Sequence, residues 1–439
     1  MGDVIIDGLT GANRLVILDT NGKIPAVDGS AVTNVAGANF STGTIPVARI
    51  DTGTTAGKIV KLDGNAKLPA VSGVALTGVV GATKSASDPV ITTNPSGGVG
   101  TEWQNTTSGA VYVCTDATTN ENVWTNVGGR SGDVQPYVFQ GSSYGYCAGG
   151  YSWTGVFYGW NNIDRWPYAS NTNAVDVGDL EVLYSSGAQT GPHRAGAASS
   201  GTHGYVLGSA GGIDDIEKYQ LVASANASKI SDMVSGGENA CWSNGTYAYV
   251  SGWAAAAPTD MIQQLSYATD VCIDSTANLS SVWKEHTTTQ TTTHGYVVGG
   301  TKAGSITAVI NKWQFATTNT SADVAVLTFA RRNSGWGSSS LTHGYHAGGH
   351  TVVTATKINS IEKHQFSNDA NATDVGDLAG LYYAYGGNSS TTHGYGFGRE
   401  AASSTGSNEI SRVAFASDGN ATDVGDLTVA RMWGSGHQV

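Results

Sequence analysis

Charged residues are only 13% of the 439, and prolines number 9. So little charge excludes surface helices held by ion pairs, which need opposite charges three or four residues apart. No apolar run reaches the ~18 residues that a membrane-spanning helix needs. The start, "MGDVIIDGLTGANRL", has neither a basic nor an apolar region and does not read as a secretory signal. Met1-Gly2 is a poor myristoylation match, because Ile6 stands where Ser or Thr is required. Cysteine is scarce: Cys114, Cys147, Cys241 and Cys272 show no CxxC spacing. They read as thiols buried in strands rather than as metal ligands or redox pairs. Basic residues are in the minority, 22 Lys and Arg against 34 Asp and Glu, for a formal net charge of −12. Neither nucleic acid nor an anionic membrane is expected as a partner.

Glycine, in contrast, occupies 60 positions, and aromatic residues are 9% of the chain, enough to build a core. Gly-rich turns between short β-branched and aromatic runs point to an all-β protein. One phrase recurs: "THGYVLGS" at 202–209, "THGYVVGG" at 293–300, "THGYHAGG" at 342–349 and "THGYGFGR" at 392–399. Two degenerate copies, "YGYCAGG" and "TYAYVSGW", bring the anchoring tyrosines to six: Tyr146, Tyr205, Tyr249, Tyr296, Tyr345 and Tyr395. They stand 44 to 59 residues apart. Each unit continues with a run such as "INKWQF" (310–315), then a polar turn leading into "DVGDL", then a Gly/Ser-rich stretch. Every part is strand-length and bounded by turn residues. The spacing predicts four antiparallel strands per unit, a to d: the Gly/Ser stretch, HGYxxGG, IxxWxF and DVGDL. Four strands in about fifty residues is the size of a propeller blade, and six blades suffice to close a ring. The paired glycines are expected to take φ > 0 and to relieve crowding near the axis.

The order Gly-Gly, aromatic, then a short run ending in Arg resembles the kelch repeat, most closely in "THGYVVGGTKAGSITAVINKWQFA" with "LTFARR" (327–332). The resemblance covers 135–439 and implies a six-bladed kelch-like β-propeller over 131–439. The first unit lacks a clear strand a, and the C-terminal "ARMWGSGHQV" aligns with the strand-a segment "ARRNSGWGSSS". The C-terminus is therefore expected to supply the innermost strand of the first blade.

Residues 15–35 match 59–79 with a period of 44, and their apolar residues are too scattered for a monomeric core. These phrases resemble bacteriophage tail-fibre shaft repeats, which implies a slender homotrimeric stalk over 1–82. "DPVITTNPSGGVGTEWQNTTSGAVYVCTDATTNENVWTNVG" (88–128) resembles a small β module of phage fibres, placed at 83–130.

Motifs for chemistry are few. There is no GxSxG elbow, no sialidase box and no Cys–His pairing. His203, His294, His343 and His393 recur by blade symmetry and would stand too far apart to share one metal ion. "SNDANATDVGDL" (367–378) and "SDGNATDVGDL" (417–427) resemble calcium loops loosely, but lack the closing Glu and read as turns capped by Asp and Asn. No cofactor and no metal are expected. The least repetitive segment is "YSWTGVFYGWNN" (151–162), which with "GWAAAAP" (252–258) supplies the candidate contacts Tyr151, Trp153, Phe157, Tyr158, Trp160 and Trp253. Strand alternation places them on the b–c and d–a loop face, with 183–200 and 281–291 as long d–a loops. The chain is expected to enter on the a–b face.

These readings converge on a non-enzymatic phage virion fibre, most simply a tail fibre, assembled in the host cytoplasm and joined to other virion proteins. Its head would bind a host cell-surface glycan or an outer-membrane component, with no membrane insertion. The alternatives are a virion-associated glycan-degrading enzyme, since paired carboxylates need no linear motif, and a head or neck fibre of structural role.

Overall fold

The computed structural model describes Thr20, residues 81–128, and residues 134–439 apart from 135, 154–156, 182–193, 210–211, 255–257, 333–335, 352–355, 384–385 and 401–405. The stalk expected over 1–82 lies almost wholly outside the described residues. Among those described there is no helix; the strands form many small sheets, nearly all antiparallel. Two units separate: one contains 81–89, 94–117 and 124–128, the other 134–439 with the short segments 90–93 and 118–123.

The first unit is built on one four-stranded sheet, with strands Thr83–Ser85, Glu102–Asn105, Val111–Asp116 and Val123–Gly128 in that order. Its first pair is parallel. Tyr112, Cys114 and Trp124 are fully buried, and Trp103 meets Trp124 edge to face at 5.9 Å.

The second unit holds six four-stranded sheets, I to VI. Strand b carries the His-Gly-Tyr phrase: Tyr144–Ala148 in sheet I, His203–Ser209, Tyr247–Ala254, His294–Val298, His343–Ala347 and His393–Phe397 in the rest. Strand c is Asn162–Pro167, Ile213–Gln220, Pro258–Ser266, Val309–Gln314, Ile358–Gln365 and Ser407–Ala414. Strand d is Val175–Asp179, Ser228–Asp232, Cys272–Asn278, Ala322–Val326, Thr373–Tyr382 and Thr422–Arg431. Strand a of sheets II to VI is Gly196–Ser199, Gly237–Ser243, Thr287–Gln290, Trp336–Ser339 and Gly386–Ser389. In sheet I, strand a comes from the far end of the chain: Ser435–Gln438 pairs antiparallel with Tyr144–Ala148. Two of the expected long loops need correction. The ranges 183–200 and 281–291 contain the inner strands of sheets II and IV, because their Gly, Ala, Ser and Thr residues pair with strand b instead of turning.

The recurring phrase has a packing reason. Its glycine sits directly opposite the large residue of strand c: Gly145 opposite Trp166, Gly204 opposite Tyr219, Gly295 opposite Trp313. A Cβ on Gly145 would lie 2.6 Å from the Trp166 ring, so only glycine leaves room for the ring to fold over the strand. The tyrosine reaches the next sheet. Tyr205 packs on Tyr267, Tyr249 on Phe315, Tyr296 on Phe366 and Tyr345 on Phe415, with ring centroids 4.6 to 5.1 Å apart. Tyr395 of sheet VI packs in the same way on Tyr168 beside sheet I, at 4.8 Å. The inner strands likewise neighbour one another in the order I, II, III, IV, V, VI and back to I. Their approach is close: a Cβ on Gly436 would lie 2.1 Å from the Gly387 carbonyl oxygen. The pairs Gly149-Gly150, Gly299-Gly300 and Gly348-Gly349 all take positive φ, as the sequence led us to expect.

Buried histidines make contacts between sheets and within them in neutral form. His437 is fully buried, with Nε2 2.8 Å from the Tyr205 carbonyl oxygen, and burial lowers its pKa to about 4. His364 meets His346 at 2.9 Å, and burial lowers it to about 3. An unfolded histidine titrates near ~6.5. Below that pH the unfolded chain takes up protons that the folded chain refuses, so stability is complete above pH ~6.5 and falls towards the folded pKa. The slope is at most about 1.4 kcal/mol per pH unit for each group. Urea melts between pH 7 and pH 4.5 should show this fall, and His437→Gln should flatten it; equal slopes for the two proteins would contradict the assignment.

Candidate functional site

Antiparallel pairing puts the a–b and c–d turns at one end of each sheet and the b–c and d–a connections at the other. At the first end the Thr-His pairs are locked into turns. Nδ1 of His203, His294, His343 and His393 lies 2.8–2.9 Å from the hydroxyl of the preceding threonine. Their backbone N–H groups donate to Ser200, Thr291, Ser340 and Ser390. In the two calcium-like segments, the Asp369 carboxylate takes Lys312 at 3.0 Å and Asp418 pairs with Lys363. The Asp-Val-Gly-Asp-Leu residues themselves are strand d, not turn.

The same end is spanned by the segment entering sheet I. The Tyr137 hydroxyl donates to the Ser199 carbonyl and lies 2.9 Å from Ser243 Oγ. Burial pushes its pKa up to about 12. Gln140 Nε2 donates to the carbonyls of Ser339 and Ser390. Beneath them the last residues of the inner strands form a polar belt. Ser243 N donates to Gln290 Oε1, Gln290 N to Ser339 Oγ, Ser339 N to Ser389 Oγ, and Gln438 N to Ser199 Oγ, at 2.8 to 3.1 Å.

At the opposite end aromatic and cationic side chains gather. Tyr151 and Trp153 lie on a small hairpin, Tyr151–Trp153 with Phe157–Gly159. Tyr151 is only 9% exposed; its ring stacks on Trp433 at 4.9 Å and its backbone bridges Met432. Trp153, Tyr383 and Trp433 pack half-buried around Tyr151 and Met432. The Arg194 guanidinium lies 3.8 Å over the Trp433 ring, and Lys357 Nζ lies 4.8 Å from the Tyr383 centroid. His350, buried and lowered in pKa by that burial, sits 3.8 Å from Tyr383. Tyr158 is 52% exposed and lies 4.9 Å from Trp160, whose Nε1 donates to Ser152 Oγ. Phe157 and Trp253 stand on strands, with side chains outside what the structure describes.

Between the two ends runs a cavity of about 220 Å³ lined by strand a of all six sheets. At one end it meets Tyr137 and Phe139; at the other it meets Arg194, Glu285 and Trp433. The structure thus brings Tyr151 and Trp153 together with residues the sequence reading passed over: Trp433, Tyr383, Arg194 and Lys357. Trp433 was hidden inside a repeat segment, where a tryptophan looks like core. Comparison with family models and with curated proteins gave no match to this chain.

Proposed function

We propose that residues 131–439 form a six-bladed kelch-like β-propeller, the binding head of a bacteriophage virion fibre, most simply a tail fibre, that recognises a glycan or outer-membrane component of the host surface. Six four-stranded sheets whose inner strands return to their start, with the C-terminal strand completing sheet I, support the architecture. The observation that carries the function is the aromatic cluster of Trp153, Tyr383 and Trp433, packed over the buried Tyr151 and flanked by Arg194 and Lys357. Aromatic faces pack on the apolar faces of sugar rings, and neighbouring cations and amides orient the hydroxyls and acids. The head is not an enzyme in this reading. The repeat at 15–35 and 59–79 supports a homotrimeric stalk over 1–82, which joins other virion proteins. Three heads on one stalk turn weak single contacts into firm attachment.

The test is binding of the full chain to immobilised bacterial polysaccharides, with its mass taken by light scattering. Trp153→Ala and Trp433→Ala are each expected to weaken binding by about tenfold, the range of a central aromatic contact. The thermal melt of Trp153→Ala should stay close to wild type, while Trp433→Ala, which loses its stacking on Tyr151, should melt lower. Normal binding by both variants would remove the face from consideration, and a monomer mass would remove the trimer. Release of reducing ends from the polysaccharide would replace the binding head with a hydrolase.

A further inference from the structure

The segment that leads into strand b of sheet I is fastened on both sides of the cavity. Tyr137 holds it at sheets II and III. Its hydroxyl donates to the Ser199 carbonyl and lies beside Ser243 Oγ, both at 2.9 Å. Its ring covers Gly245, where a Cβ would lie 2.5 Å from it. Gln140 holds the segment at sheets V and VI, with Nε2 3.1 Å from the Ser339 carbonyl and 3.0 Å from that of Ser390. Gly141 adds backbone bonds: its N–H donates to the Ser389 carbonyl, and its carbonyl accepts from Thr391. Gln438 of sheet I donates to the Phe139 carbonyl at 2.6 Å. Sheets II and III stand across from V and VI, because the inner strands neighbour one another in the order I to VI and back to I.

A connection that only delivered the chain to strand b would need none of this. Connecting segments commonly run over the surface with their backbone in water, and fixing one costs conformational entropy at every residue. The fastenings have an order along the chain that matters for tension. A pull arriving before residue 134 meets Tyr137 first, which passes it to sheets II and III. Gln140 and Gly141, three and four residues on, pass it to sheets V and VI. Only when both have given way does the pull reach Tyr144–Ala148. That strand pairs with Ser435–Gln438, so a pull delivered there would act on the sheet that joins the two ends of the chain.

We infer that residues 137–141 are a tension clasp: they hand a pull that arrives along the chain to sheets II, III, V and VI, and keep it off the strand pair that joins the chain ends. The inference rests on the fibre reading above, in which the head is pulled through its stalk, and adds how the head withstands that pull.

The full-length protein should be held in optical tweezers by DNA handles on two introduced cysteines, Ser131→Cys ahead of the segment and Leu381→Cys. Leu381 is 56% exposed near the end of strand d of sheet V. The four native thiols are all raised in pKa by burial, which slows their labelling. Release of residues 134–143 should appear as a first lengthening of at most about 35 Å, the reach of ten extended residues. Forced opening is governed by the unfolding rate. At fixed force, Tyr137→Phe with Gln140→Met should shorten the time to that first step at least about tenfold, since both side-chain grips are lost. The control pulls on Val175→Cys, 55% exposed at the start of strand d of sheet I, and Leu381→Cys, a path that bypasses the segment. There the same double variant should change the lifetime less than about twofold. If the double variant does not fold, Tyr137→Phe alone carries the comparison, with about a threefold effect. An unchanged lifetime under the Ser131 pull overturns the clasp. Equal shortening in both geometries also overturns it, because the segment would then only add stability. The measurement uses no ligand. A head that binds no polysaccharide would therefore remove the binding reading and leave the clasp, while a head that binds but fails the lifetime comparison loses the clasp alone.

Discussion

Asp164→Ala should cost about 3–5 kcal/mol of stability, the usual result of stripping one partner from a buried ion pair. Arg431 and Asp164 are both fully buried, and Arg431 Nη2 donates to Asp164 Oδ2 at 2.6 Å. Arg431 Nη1 also donates to the carbonyls of Gly149 and Asn162, while Thr428 gives its N–H and hydroxyl to the Asp164 carboxylate. The pair joins the last strand of sheet VI to strands b and c of sheet I. Arg331 and Glu362 repeat the arrangement between sheets IV and V, again fully buried, with Arg331 donating to the Gly348 carbonyl and Thr328 to Glu362. At the equivalent position of strand c, Gln263, Asn311 and Ser411 stand in sheets III, IV and VI, where the segment before strand a contains no arginine. In sheets I and V the buried carboxylate is met by the cation that neutralises it, as burial of charge requires. Urea denaturation measures the cost. A double variant, Asp164→Leu with Arg431→Met, should recover much of the loss, since it leaves no orphaned charge. Asp164→Ala melts that overlay wild type would show that the pair couples nothing.

Deleting 434–439 should have the larger effect, approaching the whole stability of a domain, about 5–15 kcal/mol. The deletion removes the partner of Tyr144–Ala148 and exposes that edge of sheet I. It also removes His437, which bridges to Tyr205 of sheet II and sends its carbonyl to Asn388 Nδ2 beside sheet VI. The truncated protein is expected to lose cooperative thermal unfolding or to aggregate. A melt unchanged from wild type would rule out the coupling of the two chain ends.

Both results bear on how the fold could be read. The four strands of each unit and their order were legible because strand, turn and glycine signals are local and recur six times. The pairing of the C-terminus with the first unit followed from the same recurrence: "ARMWGSGHQV" could match only a missing strand a. The aromatic-rich stretch 151–162 also stood out, because it breaks the repeat. The reading failed where the same composition serves two purposes. Gly, Ala and Ser at 196–199 are as suited to a loop as to a tightly packed inner strand, and only the neighbouring strand decides.

The sequence by itself determined the all-β class, the number of units, the strand order and the aromatic loop, since these rest on period, turn residues and side-chain type. Only the tertiary structure decided which aromatics are covered. Tyr151 is taken under Trp433, 282 positions away, and no local pattern records so distant a contact. It alone decided the cavity rim, where Arg194, Glu285 and Trp433 come from three sheets. Their left-handed backbone leaves no trace in composition, because strain at a non-glycine residue is imposed by the packing around it and not by the residue itself.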